Sequence, residues 1–376
     1  MKFLSVPAMF NEEYLKKLQV LNNLNNEVKI IETYGSIPNF LFGSIRPANT
    51  IKQVTKEELI FYIKKSQELN IGFNYIMNTT ILFEKEFTEE KKNELFSFIQ
   101  EMIENGMTKI TITIPFLIRI IRKKFPNLHI VASICLNVMS VQEIESLKEL
   151  GVNTVVLAKD INRNFKILKN IIKNIQGVDI KLLCNTPCLL KCLDLGYHMN
   201  ISAIQDNYLN QERIEVANNY LVSISAINCQ LTRLKKPVEF LKGPWIRPED
   251  LKIYNEMGIK FFKIDGRDKP ESYILEVIKA YIEEKFEGNI LYLLQGFYPK
   301  DKKEFLMIKN MEKLKIGVYL ENNKLEGFLK GFLLNENICD KGCFNCNYCF
   351  SWSKNIEIDY DTKNFYEQHL IIKQKM

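Results

Sequence analysis

The sequence predicts an α/β fold, a (β/α)8 TIM-type barrel, and three observations carry the prediction. Short apolar runs alternate with amphipathic helical patterns from residue 3 to residue 286, and such alternation means parallel strands joined by right-handed crossovers. The strand runs are apolar nearly throughout, as expected of strands covered on both faces. Eight units fit in about 285 residues, the usual size of an eightfold barrel. A doubly wound open sheet is the alternative. No G-x-G-x-x-G follows the first strand, which argues against a dinucleotide-binding form of it.

The elements run in order along the chain. The first strand spans Phe3 to Ala8 and leads into "NEEYLKKLQVLNNL", with Asn11 as N-cap and Glu12 and Glu13 favourably placed at the helix dipole. "VKIIETY" is the second strand; its helix, "TKEELIFYIKKSQELN", starts at the cap Thr55. "IGFNYIMN" precedes a helix that closes at Gly106, and "KITITI" precedes a helix from Pro115 to Lys124. "HIVASIC" leads to a helix closed by Gly151, "VNTVVLA" to "NRNFKILKNIIKNI". The seventh strand is "DIKLLC". An insertion, residues 185–247, then interrupts the rhythm, which resumes with "RPEDLKIYNEMG", the eighth strand "IKFFKIDG" and a last helix. Residues 1–285 are therefore expected to form the barrel. Residues 286–376, with strand-like "KIGVYLENN" and "LEGFLKGFLL" and a cysteine group, are expected to form a small C-terminal appendage.

The composition, 46% hydrophobic and 26% charged, is that of a chain with a large core and not of a disordered one. The net charge of +6 permits an anionic substrate or RNA without demanding either. The basic runs Arg119–Lys124 and Arg233–Lys236 read as solvated faces. No apolar run reaches the ~18 residues of a membrane span, and the N-terminus has no signal-peptide pattern. A cytoplasmic location is expected. There thiols stay reduced, so the nine cysteines point to metal or catalysis and not to disulfides.

Two cysteine groups stand out. In "CNTPCLLKC", Cys184, Cys188 and Cys192 are four residues apart, and Cys229 follows in the insertion. An unbroken helix would separate Cys184 from Cys192 by about 12 Å, too far for one cluster with ligand sulfurs ~6–7 Å apart. Pro187 breaks that helix. The expectation is that Cys184 ends the strand while Cys188 and Cys192 share a face of a new helix starting at Pro187. Buried free thiols are the alternative. The second group, Cys339, Cys343, Cys346 and Cys349 in "CDKGCFNCNYC", is a metal signal. Its short gaps resemble ferredoxin-type runs more than paired zinc knuckles. Its C-x3-C-x2-C also fits the radical S-adenosylmethionine pattern, but no barrel can follow it. Cys135, ending the fifth strand, reads as packing or a site thiol.

Cysteines after a late strand, followed by "GPWIRPEDLKIYNEMGIKFFKIDGR" and "YILEVIKAYIEEKFEGN", resemble the collagenase-like peptidase family U32. The resemblance covers most of the chain and is strongest from Cys184 to Asn289. The chain lacks the family's Glu-Phe-x-x-Gly lead-in and Ser-Gly-x-Cys turn, which marks a divergent branch. The resemblance implies a [4Fe-4S] cluster at the barrel mouth on Cys184, Cys188, Cys192 and Cys229. The C-terminal four cysteines look like a group found in some branches and would hold a second [4Fe-4S] cluster or zinc. The family is named for peptidases, yet members also hydroxylate ubiquinone precursors and tRNA or ribosomal RNA bases without oxygen.

Among the three histidines, His129 begins a strand on the non-catalytic face, His369 is in the tail, and His198 follows the cysteines. Neither H-E-x-x-H nor G-x-S-x-G occurs. The reading is an iron–sulfur enzyme performing an oxygen-independent hydroxylation or related modification on a small anionic molecule, RNA or peptide. An electron-transfer protein or a related U32 protein is the expected partner. The candidate residues are His198 for proton transfer, Asp265 and Arg267 at the eighth strand end, and Lys159 for an anionic group, with Asn78 and Asp160 nearby. Arg247 and Trp245 are expected at the mouth or at a helix start. The alternatives are a U32-type peptidase and a non-catalytic iron–sulfur partner or redox sensor.

Overall fold

The computed structural model describes residues 1–38, 40–207, 222–295, 298–300, 302, 317–336, 338–340, 342–343 and 345–359, without the side chains of 205–207 and 222–227. His369 and the start of "KIGVYLENN" lie outside them.

Eight parallel strands close into a barrel in chain order. They are β1 (Lys2–Pro7), β2 (Val28–Gly35), β3 (Gly72–Met77), β4 (Lys109–Ile112), β5 (His129–Ala132), β6 (Thr154–Val156), β7 (Asp179–Leu183) and β8 (Phe261–Lys263). β8 pairs with β7 on one side and with β1 on the other, from Phe3–Phe261 to Ser5–Lys263. That closure excludes the open sheet.

The helices begin and end where local chemistry says they should. Asn11 Oδ1 accepts the Tyr14 N–H at 2.7 Å and starts α1 (Glu12–Asn22). Thr55 and Glu58 form a capping box on α2 (Lys56–Glu68), and Thr88 caps α3 (Glu89–Glu104). Pro115 opens α4 (Pro115–Lys124), where its missing N–H costs nothing. Ser140 and Glu143 cap α5 (Val141–Glu149), and Asn164 caps α6 (Phe165–Asn174). Each such cap contributes about 1 kcal/mol. Gly106, at φ +103°, closes α3 in a conformation other residues resist.

The insertion after β7 holds α7 (Leu195–Asn207), α8 (Val222–Lys235) and α9 (Val238–Lys242). The helix expected from Pro187 is absent: the chain from Cys184 to Asp194 is an irregular strap, and helix begins only at Leu195. Lys191 adopts a left-handed φ of 49° and donates its N–H to Asp160 Oδ1 at 2.9 Å. That bond takes the N–H that a helix starting at Pro187 would give to the Pro187 carbonyl.

Beyond α10 (Leu251–Glu256) and α11 (Glu271–Glu283), the chain packs back onto the barrel. One hydrophobic core runs through barrel residues and on through Ile290–Leu294, Val318, Leu320, Leu325, Phe328 and Phe332. Asn289 is fully buried and bonds Pro299, Val318, Leu291 and Leu320 backbone groups. "LEGFLKGFLL" is helical turns leading into α12 (Lys330–Leu334), not a strand. Phe328 and Phe332 there stack edge to face, 5.5 Å apart. β9 (Val318–Tyr319) pairs antiparallel with β10 (Glu357–Ile358), and α13 (Tyr348–Ser353) lies between. Trp245 and Arg247 do not frame the mouth. Both are buried, Arg247 donating to Asn322 Oδ1 and the Leu325 carbonyl. Among the described residues no helix is long and apolar enough to cross a membrane.

Candidate active site at the barrel mouth

Side-chain alternation along the strands decides what reaches the barrel interior. Lys181 of β7 points inward: its Nζ donates to Ser5 Oγ and to Glu32 Oε1, both at 2.7 Å. Lys109 donates to Glu32 Oε2 at 2.6 Å, and Thr111 to Asn74 Oδ1 at 2.8 Å. The barrel is therefore filled by a polar layer that the apolar reading of the strands did not anticipate. Burial alone would raise the Glu32 carboxyl, but Lys181 and Lys109 outweigh it and hold it well below the carboxylate range. At the opposite end from the site, His129 bonds Thr154 Oγ1 at 2.8 Å, and burial lowers its imidazole to about 4.

The same alternation brings Lys263 and Asp265 inward above Lys181. Asp265 is the centre of the mouth. Its Oδ2 accepts from Arg46 at 2.6 Å and Gln295 at 2.7 Å, and its Oδ1 accepts from the Gly266 N–H at 2.9 Å. Asn185 bonds both the N–H and the C=O of Asp265, which ties the strap to the end of β8. Burial disfavours this carboxylate; Arg46, Lys263 and Arg267 more than offset that and lower its pKa. Arg267 donates to Ser36 Oγ at 3.0 Å and also lines a cavity of about 460 Å³ with Lys52, Asp268 and Glu271. His198 stands on α7 within electrostatic range of Arg46; burial first and Arg46 second lower its pKa. Cys135 accepts from Asn78 Nδ2 at 3.7 Å, and burial raises its thiol. Lys159 is a strut: its Nζ meets Asp160 at 3.1 Å, and the same Asp160 oxygen holds the strap at Lys191. Sequence reasoning missed Arg46, Gln295 and Lys263. Only Lys263 left a signal, a lysine two positions before Asp265 in an apolar run.

The cysteines divide by orientation. Because Lys181 points inward, Cys184, three residues on, points outward. It is fully buried in the hydrophobic core, acts electrostatically on Tyr254 and Tyr281, and its thiol is pushed far up by burial. Cys229 instead interacts with Cys192 and Cys188; burial and these two thiols raise it to about 11. The strap thus brings three of the four expected ligands toward one another and turns Cys184 away. A cation bound among these thiols would be held by thiolates, so its binding would displace protons. Among the described residues, no three Cys, His, Asp or Glu side chains stand at metal-ligand spacing as they are.

Cys339, Cys343, Cys346 and Cys349 line one cavity of about 230 Å³ with Asp160, Arg163, Lys191 and Lys242. Arg163 is its anchor. The guanidinium lies 4.5 Å from the Trp245 ring and 5.1 Å from that of Phe328, and donates to the Leu241 and Trp245 carbonyls. Burial raises Cys349 to about 11 despite the opposing pull of Arg163. A four-thiol set beside a fixed cation suits an anionic metal–thiolate centre, zinc or iron–sulfur.

Fold and site together define an eightfold α/β barrel whose charged mouth lies beside a cysteine-bearing strap. Its similarity is to peptidase family U32, whose family model matches residues 45–184. That span takes in Arg46 and Cys135 and ends at Cys184, the first residue of the strap. The chain is 26% identical over 337 residues to an uncharacterized protease of Methanocaldococcus jannaschii, spanning 89% of this chain and 92% of that one. A solved U32 peptidase, Mk0906, superposes with a TM-score of 0.43 at 10% identity, over 54% of this chain and 76% of its own. An HpcH/HpaI aldolase from Desulfitobacterium hafniense gives a TM-score of 0.30 at 8% identity, over 58% of this chain and 90% of its own.

Proposed function

We propose that this U32-like protein is an iron–sulfur enzyme that modifies an anionic substrate, RNA or peptide at the barrel mouth by oxygen-independent hydroxylation or a related reaction. The observation that carries the reading is the mutual approach of Cys188, Cys192 and Cys229 beside the C-terminal end of β7, where barrel chemistry resides. When bound, a [4Fe-4S] cluster there would supply one-electron redox chemistry. The chain supplies the rest. Arg46 and Asp265 form a fixed ion pair at the mouth, Gln295 orients Asp265, and His198 offers an imidazole that burial and Arg46 bias toward its neutral, proton-accepting form. Cys184 is not in the proposed ligand set. The C-terminal cysteines would hold a second cluster or zinc, fixed on the barrel through Arg163.

A peptidase is the second reading, favoured by the U32 match and by the name of the archaeal relative. It needs an activated nucleophile, and the best-placed thiol, Cys135, has its pKa raised and not lowered.

Anaerobic purification followed by iron, sulfide and zinc analysis and EPR tests the proposal. Iron with acid-labile sulfide, reduced by Cys192→Ala and Cys229→Ala, supports it. Zinc without sulfide rejects it. Casein cleavage that survives both substitutions would select the peptidase instead.

A further inference from the structure

We infer that the floor of the barrel mouth is an oxyanion-binding subsite in which the Lys263 ammonium receives a carboxylate or phosphate group of the substrate. The inference deepens the proposed function, resting on the barrel mouth as the place where substrate binds. It does not depend on a cluster being present.

Lys263 ends β8 on its inward face and is half-buried. Its Nζ lies 3.8 Å from the centre of the Tyr34 ring. The ring is itself fixed, since the Tyr34 hydroxyl donates to the Ile264 carbonyl at 2.6 Å. Among the described residues the ammonium has no hydrogen-bonding or ion-pair partner. The groups that face it are Lys181, Asp265, Arg267 and Glu32, with Cys135 beside it. Both carboxylates in this set are already bonded to other groups. Asp265 accepts from Arg46, Gln295 and its neighbouring N–H. Glu32 accepts from Lys181, Lys109, Ser5 and Asn74.

A half-buried cation with an aromatic face on one side and no acceptor is an incomplete arrangement. Its neighbours add two cations, Lys181 and Arg267, to the two bonded carboxylates. Burial first and Lys181 second lower the Lys263 amine to about 7, as expected where the missing partner is an anion that arrives from outside. An oxyanion placed on Lys263 would lie at the C-terminal ends of the strands, near Arg267 and Cys135. It would there complete the charge-assisted bonds that the protein leaves open.

The test is trace acetylation of the anaerobically purified protein with acetic anhydride, read by peptide mass spectrometry, with and without malonate or inorganic phosphate. The exposed Lys285 serves as internal reference. Labelling of Lys263 relative to Lys285 is expected to fall about tenfold at nine-tenths occupancy. Protection by malonate alone marks a carboxylate subsite, protection by phosphate alone a phosphate subsite. Loss of protection in Arg267→Met, with labelling in the absence of anion retained, supports a shared site. Labelling of Lys263 that neither anion changes, or that changes only in parallel with Lys285, overturns the inference. Iron and sulfide analysis of the same sample separates the two readings: protection without iron leaves the subsite standing, and iron without protection removes only the subsite.

Discussion

Replacing Glu32 by Gln tests the polar filling of the barrel. Glu32 is 1% exposed and balances Lys181, 2% exposed, at 2.7 Å, and Lys109, 21% exposed, at 2.6 Å. Gln keeps the shape but removes the charge, and turns an NH2 or a neutral oxygen toward each ammonium. Lys181 keeps its bond to Ser5 but becomes a buried cation without an anion. Breaking a buried pair in this way costs about 3–5 kcal/mol; the Lys109 contact, more exposed, adds about 0.5 kcal/mol. At about 2–4 °C per kcal/mol for a large domain, Tm should fall by about 7–22 °C. The double variant Glu32→Gln with Lys181→Met should recover much of the loss, because no unpaired charge is left. The pH dependence has a definite sign. The native Glu32 carboxyl lies below its unfolded value, so the stabilisation is present above the ordinary carboxylate range and is lost as pH falls through that range and below. Thermal melts of the parent, single and double variants decide the matter. A single variant melting within about 1 °C of the parent, or a double variant less stable than the single, would refute the reasoning.

Three further outcomes concern the site. Cys184→Ala should leave iron and sulfide per chain unchanged while costing about 1–2 kcal/mol of stability as a core cavity, whereas Cys192→Ala should lower both metal and sulfide; equal losses from the two would return Cys184 to the ligand set. Lys263 has a folded pKa near 7, below its unfolded value, so its destabilising contribution is full below pH 7 and fades as pH rises toward the ordinary lysine range. Lys263→Met should therefore stabilise more at pH 6 than at pH 10, and urea midpoints showing the reverse would contradict that. Arg163→Met removes two carbonyl bonds and the contacts with the Trp245 and Phe328 rings. Because Arg163 pulls the Cys349 thiol down, its loss should slow alkylation of Cys349 with no change at Cys229, and acceleration at both thiols would show general loosening instead.

The fold was legible because barrel periodicity and capping are local. Asn11, Thr55, Thr88 and Ser140 act within one helical turn of themselves, so a reader of the chain can place them. Pro187 acts locally too, and it breaks the helix as its ring requires. The path of the chain after such a break is not a local matter, and the bond from Lys191 to Asp160, 31 residues away, left a strap where a helix was expected. The mouth was half-visible. Asp265 and Arg267 stand at a strand end in sequence, but Arg46 reaches Asp265 from 219 residues away, and no pattern in the chain joins them. Trp245 and Arg247 could be read as mouth residues or as a helix start; Arg247 does precede the helical turn Pro248–Asp250, and their partners, Phe240, Asn322 and Leu325, make both buried supports.

By itself the sequence determined the eight βα units, their caps, and the presence of two cysteine groups, because each depends on residues close together along the chain. Only the tertiary structure decided which side of a strand faces the barrel. That single parity sends Lys181, Lys263 and Asp265 inward and Cys184 outward, dividing four similar cysteines into one core thiol and three that approach one another. The reason is the two-residue repeat of a strand: its phase is set by pairing with neighbours such as Ser5–Lys263 and Leu183–Lys263, and those neighbours come from distant parts of the chain.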